Sequence, residues 1–224
     1  MGVFVAIEGG DGSGKGTQTK ILAEYARDVL KKNVFTISFP QHGEFSSYYA
    51  DQYLNGVYGG VNHVHADLAS LPYAIDRFAA SPKIREVLDD PNGLVIADRY
   101  VASNLAHQGS KFSDDKERHE YYDRMMRTEF DVLGIPKPDI NIILLVPSNV
   151  AQENIDKKEA RNYTDKKRDI HEEDAGHLDR TKANYEELTD IYPDWFKAID
   201  CMDESGSMRS IEEIQKDIID LLPR

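Results

Sequence analysis

The chain has 224 residues, a net charge of −13, 40% hydrophobic and 30% charged residues. That balance fits one soluble globular domain long enough to bury a sizeable core. It argues against a general binder of nucleic acid or of anionic membranes, either of which needs a positive footprint, so a polyanionic ligand must be held by a few local cations.

In chain order, Val3 to Ile7 reads as a buried first strand, since it is too short to cross a membrane or to serve as a signal core. Met1-Gly2 opens like a myristoylation site, but Ala6 stands where Ser or Thr is required. A helix is predicted from Lys15 to about Lys31, with Ile21, Leu22, Tyr25, Ala26 and Val29 on its apolar face. Val34 to Phe39 is a second strand, ended by Pro40. Ala66 to Ala80 reads as a helix, and Pro72 inside it predicts a kink or a break. Leu94 to Ala97 is a third strand, launched by the Asn92-Gly93 turn. Ile140 to Val146 is a fourth, continuous and β-branched, as a strand covered on both faces should be. The segment Asp156 to Glu173 is dense in Lys, Arg, Asp and Glu and reads as an exposed excursion. Phe196 to Met202 is a weaker fifth strand. It carries Cys201, the single cysteine, which excludes an internal disulfide and reads as a packed thiol, with a reducing cytoplasm as the expected compartment. Strands alternating with helices imply a five-stranded parallel sheet flanked by helices, in one domain covering residues 1–224.

The string Gly9-Gly10-Asp11-Gly12-Ser13-Gly14-Lys15-Gly16-Thr17 leaves a strand and opens a helix, which is the context a P-loop requires. Glycines let backbone N–H groups turn toward phosphate oxygens, the helix N-terminus adds partial positive charge, and Lys15 adds a full one. The expected ligand is ATP. The hydroxyl that usually follows the lysine and binds Mg²⁺ is missing at Gly16, so the ion is expected to rest on ATP oxygens, water and a nearby carboxylate. The Gly-Lys-Gly-Thr ending is shared with adenylate kinases and raises nucleoside monophosphate kinases as a group. No Asn-Lys-x-Asp guanine motif is present, and Asp98 is followed by Arg99-Tyr100, which argues against a GTPase.

Phe39-Pro40, Tyr73-Ala74-Ile75-Asp76-Arg77, Asp98-Arg99-Tyr100-Val101-Ala102-Ser103, Gln108-Gly109 and Pro136-Lys137-Pro138-Asp139 follow one another in the order and spacing of thymidylate kinases. The chain resembles that family from Val3 to about Leu222, on a P-loop NTP hydrolase-like fold with a charged lid at about 156–173. The implied reaction is transfer of a phosphoryl group from ATP to dTMP. A phosphate monoester is mostly dianionic at neutral pH and brings its own nucleophile, so positioning and charge neutralisation are what the protein must supply. Arg99, at the end of a central strand, suits the acceptor phosphate. Asp98 is the expected partner of Mg²⁺ through water, or orients the arginine. The resemblance further implies that Tyr73 stacks on thymine while Arg77 donates to its O4, a contact that favours a carbonyl over the amino group of cytosine. It also implies that Asp11 meets the 3′-hydroxyl of the acceptor sugar, and that Phe39, Ser103 and Gln108 add acceptor contacts.

Some relatives carry an arginine inside the P-loop; here Gly12 holds that position, so Arg161 and Arg168 of the charged segment, beside Lys166 and Lys167, are expected to supply the charge. Three positions depart from the pattern. His42 stands where many relatives have an arginine for the acceptor phosphate, and Asn154 replaces an arginine that stacks on the donor adenine. His171 lies near the place where some relatives use a tyrosine that crowds the 2′ position. The alternatives left open are a broader deoxynucleotide or deoxynucleoside kinase and a nucleotide sensor that has lost catalysis. Family members are typically homodimers, an assembly that needs an exposed apolar helix face. Nucleic acid and membrane are not expected partners.

Overall fold

The computed structural model describes residues 1–156, 170–171 and 175–223. Its centre is a five-stranded, all-parallel sheet made of β1 (Val3–Gly9), β2 (Asn33–Ser38), β3 (Gly93–Asp98), β4 (Ile140–Leu145) and β5 (Phe196–Asp200), in the order β2-β3-β1-β4-β5. The strands expected from sequence are all present, with ends shifted by one or two residues. β1 sits at the middle, with Val5 level with Ile96 on one side and Ile140 on the other. Chain order therefore reverses beside β1, and a parallel sheet opens its ligand crevice at such a point, at the carboxyl ends of the strands.

Alternation along β1 sorts the core into two layers. Phe4 and Ala6 join Val95, Ala97 and Ile143 on one face, while Val5 and Ile7 join Leu94, Ile96, Ile142 and Leu144 on the other. Along β1, β3 and β4 neither face meets water, which accounts for the near-continuous apolar composition of β3 and β4. The first layer is covered by α3 (Ala66–Leu88), α4 (Val101–Gly109), α5 (Asp115–Met126) and α7 (Ala175–Ile191), the second by α1 (Lys15–Asp28), α6 (Ser148–Asp156) and α8 (Ile211–Asp220). A third, smaller cluster joins α2 (Tyr48–Leu54) to Ala69 and Tyr73 of α3. Cys201 is buried in the second layer, and burial pushes its thiol up to about 12, so it packs and does not react.

Two helices differ from their sequence reading. In α1 the inward residues are Lys15, Gln18, Thr19, Leu22, Ala23 and Ala26, whereas Ile21 and Tyr25 are half-buried and Val29 is exposed beyond the helix end. The helix is rotated because Lys15 must turn into the phosphate loop and Gln18 donates to the Ile211 carbonyl at the start of α8 at 3.1 Å. In α3 the helix runs without a break through Pro72 and through a second proline, Pro82. The carbonyls that lose an amide donor belong to Leu68 and Phe78, both exposed residues, where water can take the donor's place.

Candidate active site at the carboxyl ends of the strands

Four structural pieces converge where β1 and β3 end. The loop from Gly9 to Gly14 carries the chain from β1 into α1, and Gly14 caps the helix in the left-handed region at φ 89°. Gly12 is held more tightly still. Its φ is +79°, and a Cβ there would overlap the Ala151 carbonyl of α6, while Asn154 of the same helix donates to the Gly12 carbonyl at 2.9 Å. The arginine that some relatives carry at this position has no room here. Lys15 is buried and curls back over the loop, its Nζ 2.7 Å from the Gly10 carbonyl. Ser13 is buried beside it, and Gly16 and Thr17 are exposed on the first turn. An ideal Cβ on Gly16 would stand 3.4 Å from Asp98 Oδ2. The strand-end carboxylate therefore faces the spot where a P-loop hydroxyl is missing.

Beside the loop lies a cavity of about 300 Å³ lined by Asp11, Phe39, His42, Tyr73, Arg77, Arg99, Ser103, Gln108 and His171, together with Pro40, Leu54, Tyr100, Asn104 and His107. Every acceptor residue expected from sequence borders it. Arg161, Arg168, Lys166 and Lys167 lie outside the described residues.

Arg99 is the hub at the phosphate-loop end of the cavity. It leaves β3 in a left-handed conformation, φ 69°, fixed by its N–H donating to the Ile7 carbonyl at 3.0 Å. From there Nη2 donates to Asp11 Oδ1 at 2.6 Å, and Nη1 reaches the Gly9 carbonyl and Ser103 Oγ, both at 3.3 Å. Beneath it sits Glu8, fully buried, accepting from the Tyr100 N–H and from Ser103 Oγ at 2.7 Å each and from the Tyr185 hydroxyl at 3.2 Å. Burial raises the pKa of Glu8 against these hydrogen bonds and the nearby Arg99. Asp11 therefore touches the Arg99 guanidinium as well as bordering the cavity.

Tyr73 and Arg77 of α3 also line the cavity. Arg77 is 1% exposed and is gripped in a fork by Glu129: Nε donates to Oε2 at 3.0 Å and Nη2 donates to Oε1. Its Nη1 also donates to the Tyr100 carbonyl at 3.2 Å. Burial alone would depress the arginine's pKa, but Glu129 carries it above its ordinary value. Glu129 itself lies in a π-helical stretch, Arg127–Val132, that continues α5. Such a stretch turns a side chain inward out of α-helical register. His42 is exposed and engages Asp51 at 2.5 Å, so the departure from arginine there comes with its own acidic partner.

A chain of imidazoles closes the wall next to Arg99. A guanidinium only donates, so His107 Nε2, 3.2 Å from Arg99 Nη1, is an acceptor. Its ring proton is then on Nδ1 and goes to His177 Nε2 at 3.2 Å. His177 donates from Nδ1 to Ser110 Oγ at 2.9 Å, and Ser110 donates to the His107 carbonyl at 2.8 Å. Each tautomer is set by its neighbour. Burial, with Arg99 adding repulsion, holds the pKa of His107 well below its usual value. Sequence reasoning missed Glu8, Glu129, Asn104, His107, His177 and Ser110, since most act on a site residue from a different element.

Among the described residues no helix is long and apolar enough to span a membrane. A family model described as thymidylate kinase matches residues 7–218. A thymidylate kinase from Mycobacterium tuberculosis is 34% identical over 192 residues, covering 83% of this chain and 85% of that protein. A probable thymidylate kinase from Thermococcus gammatolerans is 25% identical across 99% of this chain and 96% of its own length. Solved thymidylate kinases from Candida albicans and Ehrlichia chaffeensis share the fold, with TM-scores of 0.66 and 0.67 at 22% and 21% identity; each covers 98% of this chain, over 90% and 98% of its own. The match to the family model over nearly the whole sequence leaves one conclusion: the chain belongs to the thymidylate kinase family.

Proposed function

We propose that this chain transfers the γ-phosphoryl group of ATP to dTMP, giving dTDP. The observation that carries the reading is one shared cavity: Tyr73 and Arg77 line it together with Arg99, whose Nη1 reaches the Gly9 carbonyl of the phosphate loop. In this reading a nucleotide in the cavity presents its base to the first pair and its phosphate to Arg99, in line with a donor held over Lys15. Two unit charges ~4 Å apart repel by ~4 kcal/mol at an effective dielectric of ~20, and Arg99 and Lys15 offset that cost. The acceptor dianion is its own nucleophile, so no protein base is required. Arg77, braced by Glu129, is the donor for a base carbonyl, and Asp11, braced by Arg99, is the acceptor for the sugar hydroxyl. The Asp98 carboxylate, facing the bare backbone of Gly16, is a fitting group to hold Mg²⁺ through water; when bound, the ion would neutralise charge on the donor phosphates. Arg161 and Arg168 are proposed as the lid cations.

A homodimer is proposed on one further observation. Leu68, Leu71, Ile75 and Phe78 form a stripe along α3 and are 61%, 41%, 53% and 52% exposed, an apolar helix face of the kind a second copy would cover. Cytoplasmic residence is proposed from the single, packed thiol.

Calorimetric titration with dTMP and with thymidine tests the assignment of the two ends. The phosphate should strengthen binding at least about tenfold, or 1.4 kcal/mol, and Arg99→Met should erase most of that difference. Thymidine binding as tightly as dTMP, and turning over, would favour a nucleoside kinase instead.

A further inference from the structure

His107, His171 and His177 stand together beside Arg99, and the transfer itself has been given no use for them as a group. All are at least 95% buried, and one ring nitrogen from each lies within 4.8 Å of the other two. They come from three places: the end of α4, the short stretch 170–171, and the first turns of α7. His171 stacks on His107 with centroids 5.1 Å apart and lies 4.6 Å from His177. The pair His107 Nδ1 and His177 Nε2 is separated by 3.2 Å. Two imidazole ligands at ~2.0 Å from a tetrahedral zinc ion are about 3.3 Å apart, so this pair already spans one edge of such a site. One ring nitrogen from each of the three residues lies within 4.8 Å of the others, so their edges would close by at most about 1.5 Å to reach that spacing. We propose that these three imidazoles form a site for a single zinc-class transition-metal ion, and that its occupation is incompatible with the present seat of Arg99.

The incompatibility follows from proton positions. With a metal on Nδ1, a neutral His107 must carry its proton on Nε2. That N–H would face Arg99 Nη1 across 3.2 Å, donor against donor, and the acceptor now offered to the guanidinium would be gone. The ion also brings positive charge toward an arginine that is itself needed as a cation. Three neutral imidazoles suit zinc, copper, nickel or cobalt and not the oxygen-seeking Mg²⁺, so the site would not compete for the ion that accompanies ATP. His107 and His171 also line the acceptor cavity, which gives the ion a way in. Zinc-class metal is thus an inhibitor that acts through the phosphate clamp: it raises the KM for dTMP and spares the KM for ATP.

The test uses the full chain, free of nucleotide, titrated with Co²⁺ as a coloured stand-in and with Zn²⁺ against a chromophoric chelator. The wild type should take up about one ion per chain with the visible spectrum of tetrahedral cobalt on nitrogen ligands. His177→Gln and His171→Gln should each lose that ion, while Ser110→Ala, which ends the hydrogen-bond chain but supplies no ligand, should keep it. Circular dichroism on all variants identifies any that fail to fold, so that the folded ones decide. With buffered free zinc and excess Mg²⁺, the wild-type KM for dTMP should rise about tenfold, the loss of roughly one charge-assisted hydrogen bond. No ion on the wild type, or an ion retained by a folded variant at either 171 or 177, would overturn the proposal. Because the binding readout needs no turnover, its failure is separate from any failure of the dTMP kinase reading.

Discussion

Glu129 is the most informative residue to remove, because it should affect stability and recognition by different routes. It is fully buried and holds a guanidinium that is 1% exposed, with Asn104 Nδ2 3.5 Å from the same Oε1. Glu129→Ala leaves Arg77 charged in the core with only the Tyr100 carbonyl remaining among these partners. Removing one member of a buried pair costs ~3–5 kcal/mol, and in a chain of this size each kcal/mol moves the melting midpoint by about 2–4 °C. The midpoint should therefore fall by about 6–20 °C. Replacing the pair together, Arg77→Met with Glu129→Met, removes both charges at similar volume and should recover most of that loss. The double variant should nonetheless discriminate poorly between dTMP and dCMP, because its donor for the base carbonyl is gone. Thermal melts with parallel kinetics on both monophosphates make the comparison. Glu129→Ala within 1 °C of wild type, or a double variant that keeps full preference for dTMP, would refute the reasoning.

Three further outcomes are expected. Burial depresses Lys111 to about 8 from 10.5; the unfolded chain then holds the extra proton across that window, so wild-type stability should rise with pH there, and Lys111→Met should remove that slope in the difference between the two proteins. Glu187 accepts two hydrogen bonds from Arg118 at 2.8 Å each and is held at about 2 against an ordinary 4.5. Its contribution is complete above pH 4.5 and lost as pH falls toward 2, and Glu187→Gln should flatten that part of an acid-unfolding curve. At Gly12, Ala or Arg would force a Cβ against α6 at a positive φ, so both variants should raise the KM for ATP and lower the melting midpoint, and the arginine should restore nothing. A gain in kcat with Gly12→Arg would contradict this account of the loop.

The fold was legible because its signals are local. Val3 to Ile7 and Ile140 to Leu145 are apolar runs of strand length, and the glycine-rich string from Gly9 announces both the turn and the helix that follows. Tyr73 and Arg77 were singled out by the resemblance to thymidylate kinases, since a Tyr and an Arg one helical turn apart do not by themselves mark a site. What escaped the sequence is long-range pairing. Glu129 meets Arg77 across 52 positions and Glu8 meets Tyr185 across 177, and no spacing rule announces either contact. The π-helical register that turns Glu129 inward leaves no periodic mark in Arg127–Val132. The same holds for His107 and His177, which share a hydrogen bond across 70 positions. The apolar face of α1 was misread because periodicity ranks residues by hydrophobicity, whereas the inward arc is set by Lys15 and Gln18, polar residues with fixed partners.

The central claim is that Arg77 and Arg99 define the two ends of a site for dTMP, with ATP as donor. Steady-state kcat/KM for dTMP, AMP, CMP and UMP, each with saturating ATP and Mg²⁺, tests it most directly. The account predicts that dTMP is turned over at least about a hundredfold better than the others, the discrimination expected when a buried donor must be matched by a base carbonyl and a snug pocket by the right ring. Equal or better turnover of AMP, CMP or UMP would contradict it.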